Sequence, residues 1–228
     1  IRRPPRSTLF PYTTLFRSDK IPPEFFIYCS DIITPYLVLL FNQILDSGCF
    51  PESWTVGIIV PIHKQGNIND TNNYRGITLL SIFSKIFTYI INKRLKFWAD
   101  SMNKINEAQA GFREGYTTID NIFILQSLIQ RYLNKKGCKF YALFVDFSKA
   151  FDRVDRNKLW SLLQTHGISR KMNILLKNMY NNVRACVRNN NDLSDKFRIN
   201  IGVRQGCIRS EEHTSELQSR SDLVCRLL

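Results

Sequence analysis

Apolar residues recur at spacings of three and four in five stretches of the chain, a spacing that places them on one face of an α-helix. The stretches are residues 35–45, 79–98, 117–133, 154–165 and 171–180. Gly48 follows the first stretch, where a glycine often ends a helix. The pattern therefore predicts five amphipathic helices.

The remaining apolar stretches have the length and composition of strands. Residues 55–62 are rich in β-branched side chains, and residues 140–145 form a nearly continuous apolar run that stops at Asp146. Such a run is typical of a central strand buried on both faces. Residues 183–188 and 197–201 suit a strand pair joined by the asparagine-rich turn at 189–192, and the polar residues 63–75 suit a loop. The order of elements predicts an α+β fold with helices packed on a small sheet.

The composition allows a packed core and indicates a polyanionic partner. Of the 228 residues, 44% are hydrophobic and 12% are aromatic, which argues against general disorder. The formal net charge is +13, and nucleic acid favours such a charge because Lys and Arg release its counterions. Charge that serves only solubility is the alternative.

The cysteines and the apolar segments indicate the cellular compartment that we expect for the protein. None of the six cysteines forms a Cys-x-x-Cys pair, which argues against a zinc site and fits reduced thiols of an intracellular protein, nuclear or cytoplasmic. The apolar residues between 32 and 45 are too few to span a bilayer, and residues 1–18 lack the apolar run of a signal peptide. We therefore expect no membrane partner.

Both ends of the chain resemble translated sequencing-adapter strings. Residues 1–18 and 209–228 lack a periodicity that continues their neighbours, so we expect an artefact at each end, disordered at residues 1–18. A natural basic arm and a natural polar tail are the alternative. The two ends hold seven basic and four acidic residues, so 25 basic and 15 acidic residues remain between them, a net charge of +10.

The stretch Phe-Val-Asp-Phe-Ser-Lys-Ala-Phe-Asp at residues 144–152, here called the Asp146 block, carries the most informative chemistry. A carboxylate at the end of a buried strand is fixed in position and open to solvent, which suits a divalent metal in phosphoryl transfer. Asp146 could equally cap a helix that starts near Ser148.

Four ordered blocks resemble the reverse transcriptases of non-LTR (LINE-type) retrotransposons. They are residues 53–64 with 73–80, residues 107–115 with Asp120, the Asp146 block, and Gly-Val-Arg-Gln-Gly-Cys at 202–207, here called the Gln-Gly block. The resemblance implies the fingers and partial palm of a right-hand polymerase, with N-terminal helices and fingers at 19–138 and the partial palm at 139–208. Its implied partners are an RNA template, a DNA primer and deoxynucleoside triphosphates. Group II intron-type and telomerase-type relatives are the broader alternative.

The resemblance also implies roles for single residues. Asp146 would be catalytic and would bind Mg²⁺, with the carbonyl of Phe147 beside the nucleotide-bound metal. Phe151 would exclude a 2′-hydroxyl, although a core aromatic is the alternative for this position. Gln205 and Gly206 would lie beside the incoming nucleotide.

Two further sets follow from the same resemblance. Lys64 and Arg75 would hold the triphosphate, as a point charge and a bidentate fork; solvated loop charge is the alternative. Gly111, Phe112 and Arg113 would shape the template surface.

The Tyr-x-Asp-Asp hairpin that supplies two more carboxylates in this family does not occur in the 228 residues. We therefore expect a chain truncated before its catalytic hairpin, inactive as written, with weak or absent Mg²⁺ binding. A non-catalytic nucleic-acid-binding remnant of a decayed element is the alternative function.

Overall fold

The structure, a computed structural model, describes residues 18–19, 21–113, 115–135, 137–189 and 192–204. Within these residues the chain forms six α-helices and five β-strands. In chain order they are α1 Pro23–Tyr28, α2 Ser30–Ser47, β1 Val56–His63, β2 Tyr74–Leu79, α3 Ile82–Ser101, α4 Thr118–Leu133, α5 Arg156–Thr165, α6 Arg170–Tyr180, β3 Arg184–Asn189, β4 Asp192–Leu193 and β5 Phe197–Arg198. The predicted α+β class is confirmed.

The strands form one mixed sheet around β1. Its antiparallel neighbour is β2, and β3 runs parallel to it on the other side, so that Ile58 opposes Leu79 and Cys186. The second edge of β3 pairs with β4 and β5. Only residues 56–59 of β1 pair with β3, and the far half of the β1–β2 hairpin therefore extends beyond the rest of the sheet.

Helices α2, α3, α5 and α6 bury a shared apolar cluster. Phe87 of α3 is completely buried, and its ring lies 5.3 Å from Phe41, 5.9 Å from Phe50 and 6.3 Å from Trp54. Trp160 of α5 and Leu175 of α6 belong to the same cluster. The predicted 3.6-residue periodicity is satisfied here, because each helix turns its apolar face toward the others.

The five predicted helices are confirmed with shifted ends. Helix α2 begins at Ser30 and runs through Pro35, whose fixed φ suits a helix at the cost of one hydrogen bond. Gly48 ends it at φ +69°. Helix α3 begins at Ile82, and its first amide donates to the carboxylate of Asp19 at 2.8 Å, across 63 positions of sequence.

The strand predictions are confirmed in part. The predicted 63–75 loop is shorter than expected, because β2 begins at Tyr74 and extends the hairpin. The predicted pair at 183–188 and 197–201 exists as β3 and β5, and β4 pairs with β3 at the turn.

The prediction of a buried central strand at residues 140–145 is wrong for the described chain. These residues have no strand pairing there, and Tyr141 and Leu143 are 82% and 89% exposed. Side chains of an extended run alternate between two faces, so burying them all requires cover on both, and the described residues do not provide it. Helix α4 forms as predicted with a Thr117–Asp120 capping box, yet most of its apolar side chains are exposed, among them Ile119 at 71%.

Candidate functional site

The β1–β2 hairpin carries two of the predicted site cations. The amide of Lys64 donates to the carbonyl of Asn73 at 2.8 Å, which adds a pair beyond His63 and Tyr74. Opposed residues of an antiparallel pair share a face, and side chains alternate along each strand, so Lys64 and Arg75 lie on the same face. Lys64 is exposed and Arg75 half-buried. The hairpin therefore holds two cations near its tip.

Asp146 lies in an exposed segment without helix or strand that leads into a turn at residues 148–150. The turn is closed by the amide of Asp152, which donates to the carbonyl of Lys149 at 3.0 Å. Helix α5 is capped instead by Asp155, whose carboxylate accepts from the amides of Asn157 and Lys158. Near Ser148 the described chain has a turn followed by a short 3₁₀ helix at Phe151–Arg153, so the helix that Asp146 was expected to cap in the alternative reading does not begin there. Phe147, beside it, is 45% exposed.

The end of the Asp146 block and the start of the Gln-Gly block are joined by backbone hydrogen bonds. The amide of Gly202 donates to the carbonyl of Val154 at 2.9 Å, and that of Val203 donates to the carbonyl of Phe151 at 2.8 Å. Here these bonds and the residues that make them are called the junction. Phe151, the predicted sugar-selecting residue, is half-buried at this point.

The junction requires glycine at position 202. A Cβ on Gly202 would lie 2.7 Å from the carbonyl oxygen of Asp152, and its φ of +79° is in the left-handed region. Only glycine adopts this conformation without steric cost and allows the two backbones to approach so closely. Gly202 was named from the sequence as part of the Gln-Gly block, but nothing in the sequence indicated this contact.

Arg156, which the sequence did not single out, binds the segment between β5 and the Gln-Gly block. Its guanidinium donates to the carbonyls of Gly202 and Ile199 at 2.8 Å each, and to those of Ile201 at 3.2 Å and Tyr180 at 3.3 Å. Burial lowers the pKa of the Arg156 side chain, and the nearby Tyr180 opposes this shift. An Arg at the start of a helix gives no sequence signal for such a role.

Arg204 connects the Gln-Gly block to the two residues that precede β1. Its guanidinium donates to the carbonyl of Thr55 at 2.8 Å and to that of Trp54 at 3.3 Å. It lies 6.0 Å from the centre of the Tyr180 ring, and Arg156 lies 5.1 Å from the same ring. The block is thus attached to the helical layer and to the sheet.

The structure does not bring every predicted site residue to the junction. Lys64 is nine residues beyond Thr55 along the direction of β1, up to about 30 Å for an extended strand. Gln205 and Gly206 lie outside the described residues, as do residues 1–17 and 209–228 of the two adapter-like ends. For these positions the predictions stay predictions.

The three predicted template-surface residues form a turn after α3. Phe112 has a φ of +63°, and the guanidinium of Arg113 lies 4.5 Å from the centre of the Tyr116 ring. Phe112 and Arg113 line a cleft of about 230 Å³ together with residues of α3, among them Lys96. Gly111 has open space where a side chain would be.

The described residues do not fit a magnesium ion. Among them there is no group of three His, Cys, Asp or Glu side chains that could hold a metal. Mg²⁺ is bound through oxygen ligands of near-octahedral geometry, and Asp146 alone does not provide such a set. In the same part of the chain we find no helix with the length and apolarity needed to cross a bilayer.

Comparison with known proteins agrees with the predicted resemblance. The family model described as reverse transcriptase (RNA-dependent DNA polymerase) matches residues 62–211. The "Probable RNA-directed DNA polymerase from transposon BS" of Drosophila melanogaster is 32% identical over 175 residues, 76% of this chain and 19% of the relative. The "RNA-directed DNA polymerase from mobile element jockey" of the same species is 36% identical over 122 residues, 52% of this chain and 13% of the relative.

A third relative comes from a vertebrate. The "Transposon TX1 uncharacterized 149 kDa protein" of Xenopus laevis is 29% identical over 199 residues, 87% of this chain and 15% of the relative. The chain spans about a fifth or less of the length of these curated relatives. The family match includes the hairpin tip, the Asp146 block and the Gln-Gly block, and the chain therefore belongs to the reverse transcriptase (RNA-dependent DNA polymerase) family, with the predicted resemblance to non-LTR retrotransposon polymerases confirmed.

Proposed function

We propose that this chain is the fingers and partial palm of an RNA-directed DNA polymerase from a non-LTR retrotransposon. It binds an RNA template, a DNA primer and a deoxynucleoside triphosphate, within the nucleus or cytoplasm. The observation that carries the proposal is the junction, because a hydrogen bond from Val203 to Phe151 joins the Asp146 block to the Gln-Gly block across 52 positions of sequence. The net charge of +13 supports a nucleic-acid partner.

The nucleotide is contacted by residues of both blocks. Phe151 faces the sugar, and its ring leaves no room for a 2′-hydroxyl. Gln205 and Gly206 lie beside the base, and the carbonyl of Phe147 lies near the phosphates. Asp146 is the one catalytic carboxylate in this proposal; it is not a magnesium site by itself, and the remaining residues bind and orient the nucleotide.

The hairpin and the turn after α3 bind the charged and extended parts of the substrates. Lys64 and Arg75 hold the triphosphate, since they lie on one face of the hairpin. Residues Gly111, Phe112 and Arg113 contact the template strand. The hairpin that carries both cations extends beyond the β1–β3 pairing.

Photo-cross-linking of a radiolabelled deoxynucleotide to the chain on an RNA–DNA primer–template tests the nucleotide site. We expect Lys64→Ala and Arg75→Ala each to raise the half-saturating nucleotide concentration by about tenfold, because each removes a charge-assisted contact. Lys158→Ala, an exposed lysine of α5, is the matched control and should leave it unchanged. Equal affinities in all four proteins would contradict the proposal.

Primer extension separates catalysis from binding. We expect extension by the 228-residue chain to stay at background, because its described residues lack a group of three metal-binding side chains. Primer extension above background by the 228-residue chain that is lost in Asp146→Ala would instead show a complete active site. Primer–template binding without any nucleotide cross-link would favour the second candidate, a non-catalytic nucleic-acid-binding remnant, which the positive net charge also supports.

The sugar preference has its own test. Replacement of Phe151 by Val shortens the side chain that would meet a 2′-hydroxyl. We expect cross-linking of the ribonucleotide to rise until the preference for the deoxynucleotide falls by about tenfold or more. An unchanged preference would make Phe151 an ordinary packed aromatic.

A further inference from the structure

We infer that Arg156 is a positioning residue that fixes the start of the Gln-Gly block against the loop carrying Phe151, and so sets the geometry of the nucleotide site. The effect on the nucleotide site rests on the proposed function, whereas the positioning of the backbone is a property of the chain itself. None of the four blocks of the resemblance contains Arg156.

Both backbone polar groups of Gly202 are held by one short segment. Its amide donates to the carbonyl of Val154, and its carbonyl accepts from the Nε of Arg156, only two residues further along. The next amide, that of Val203, is bound to Phe151. Gly202 therefore cannot shift relative to residues 151–156 without breaking at least one of these bonds.

The two remaining nitrogens of Arg156 bind the residues that precede the Gln-Gly block. Nη1 donates to the carbonyl of Ile199 at 2.8 Å and to that of Tyr180 at 3.3 Å, and Nη2 to the carbonyl of Ile201 at 3.2 Å. The residues just before the Gln-Gly block and the end of α6 thus share one donor group. The ring of Tyr180 lies 5.1 Å from the guanidinium and adds a cation–π contact.

This arrangement needs the shape of arginine and not only its charge. A guanidinium has five N–H donors in a planar fork, and here all three of its nitrogens are used. The ammonium of a lysine is a single point with three donors, so it cannot reach carbonyls at both ends of the fork. Charge without the fork should leave the carbonyls of Gly202 and Ile199 incompletely bonded.

Amide hydrogen exchange on the 228-residue chain tests the positioning. In Arg156→Lys and Arg156→Gln we expect the amides of Gly202 and Val203 to exchange about tenfold faster or more, because neither side chain can bond the carbonyls of Gly202 and Ile199 at the same time. Amides of α3 around Phe87 should keep their rates, which shows that the core is folded. Arg153→Gln, an exposed arginine of the same loop, is the matched control and should match the wild type.

Nucleotide cross-linking tests the consequence. A positioning role predicts that Arg156→Lys and Arg156→Gln raise the half-saturating nucleotide concentration about tenfold while the saturating yield and the primer–template affinity stay unchanged. A merely structural role would lower the saturating yield instead.

The outcomes separate the two proposals. Unchanged exchange rates of the Gly202 and Val203 amides in both variants overturn the inference. Wild-type exchange rates in Arg156→Lys alone also overturn it, since a positive charge would then be enough to fix the segment. Faster exchange with an unchanged half-saturating concentration also overturns it. If the wild-type chain cross-links no nucleotide, the proposed function fails, and the exchange rates still decide whether Arg156 fixes this segment.

Discussion

Replacement of Gly202 by Ala should destabilise the chain through the junction. Alanine at this position keeps a φ of +79° and places its Cβ 2.7 Å from the carbonyl oxygen of Asp152. That oxygen belongs to backbone in a tight turn, so it cannot move aside as a flexible side chain would. The loop or the 202–203 segment must therefore shift.

The magnitude follows from two separate costs. The left-handed backbone costs an alanine about 1–2 kcal/mol. The shift also breaks the two junction hydrogen bonds, each of which contributes about 1 kcal/mol. The free energy of unfolding should fall by about 3–4 kcal/mol in total.

Gly167→Ala is the matched control, because Gly167 has a φ of +93° but no neighbouring atom within 4 Å of the point where a Cβ would lie. It should therefore show only the backbone cost of about 1–2 kcal/mol. Urea unfolding followed by tryptophan fluorescence measures both variants. If Gly202→Ala loses no more stability than Gly167→Ala, the close approach at the junction is not a constraint, and the reasoning fails.

Three further substitutions and one control test the helical layer by the same unfolding assay. Phe87→Ala should cost about 3–5 kcal/mol because it empties the centre of the aromatic cluster, whereas Tyr89→Ala, at an exposed position of the same helix, should cost far less. Asp155→Ala should lower the free energy of unfolding by about 1 kcal/mol, since α5 loses its cap. An unchanged free energy of unfolding would mean that another group caps α5. Lys171→Ala removes an exposed ion pair with Asp46 and should change stability by less than about 1 kcal/mol at any salt concentration.

Local pattern was sufficient for most helices and insufficient for one strand. The helical periodicity of residues 117–133 predicted α4, and its capping box defines where it begins. The apolar run at 140–145 predicted a buried strand, yet those residues are exposed and unpaired in the described chain. Periodicity records which backbone conformation a segment favours, but burial depends on which other segments cover it.

The candidate site was also predicted only in part. Motif order in the sequence indicated Asp146, Phe151 and the Gln-Gly block, and the family match confirmed the resemblance on which these residues were named. No motif indicated that Arg156 would bind carbonyls 46 positions away, or that Arg204 would bind Thr55.

The sequence by itself determined five of the six helices of the described residues, the glycine that ends α2 and the family, because each depends on residues that are near one another or in a fixed order; α1 was not predicted. The tertiary structure alone decided the junction, the cap that Asp19 provides for α3 and the exposure of the segment around Asp146. These features depend on where distant backbone groups come to lie after packing. A carbonyl or an amide is present at almost every residue, so the sequence carries no mark of which of them an arginine or a carboxylate will bind.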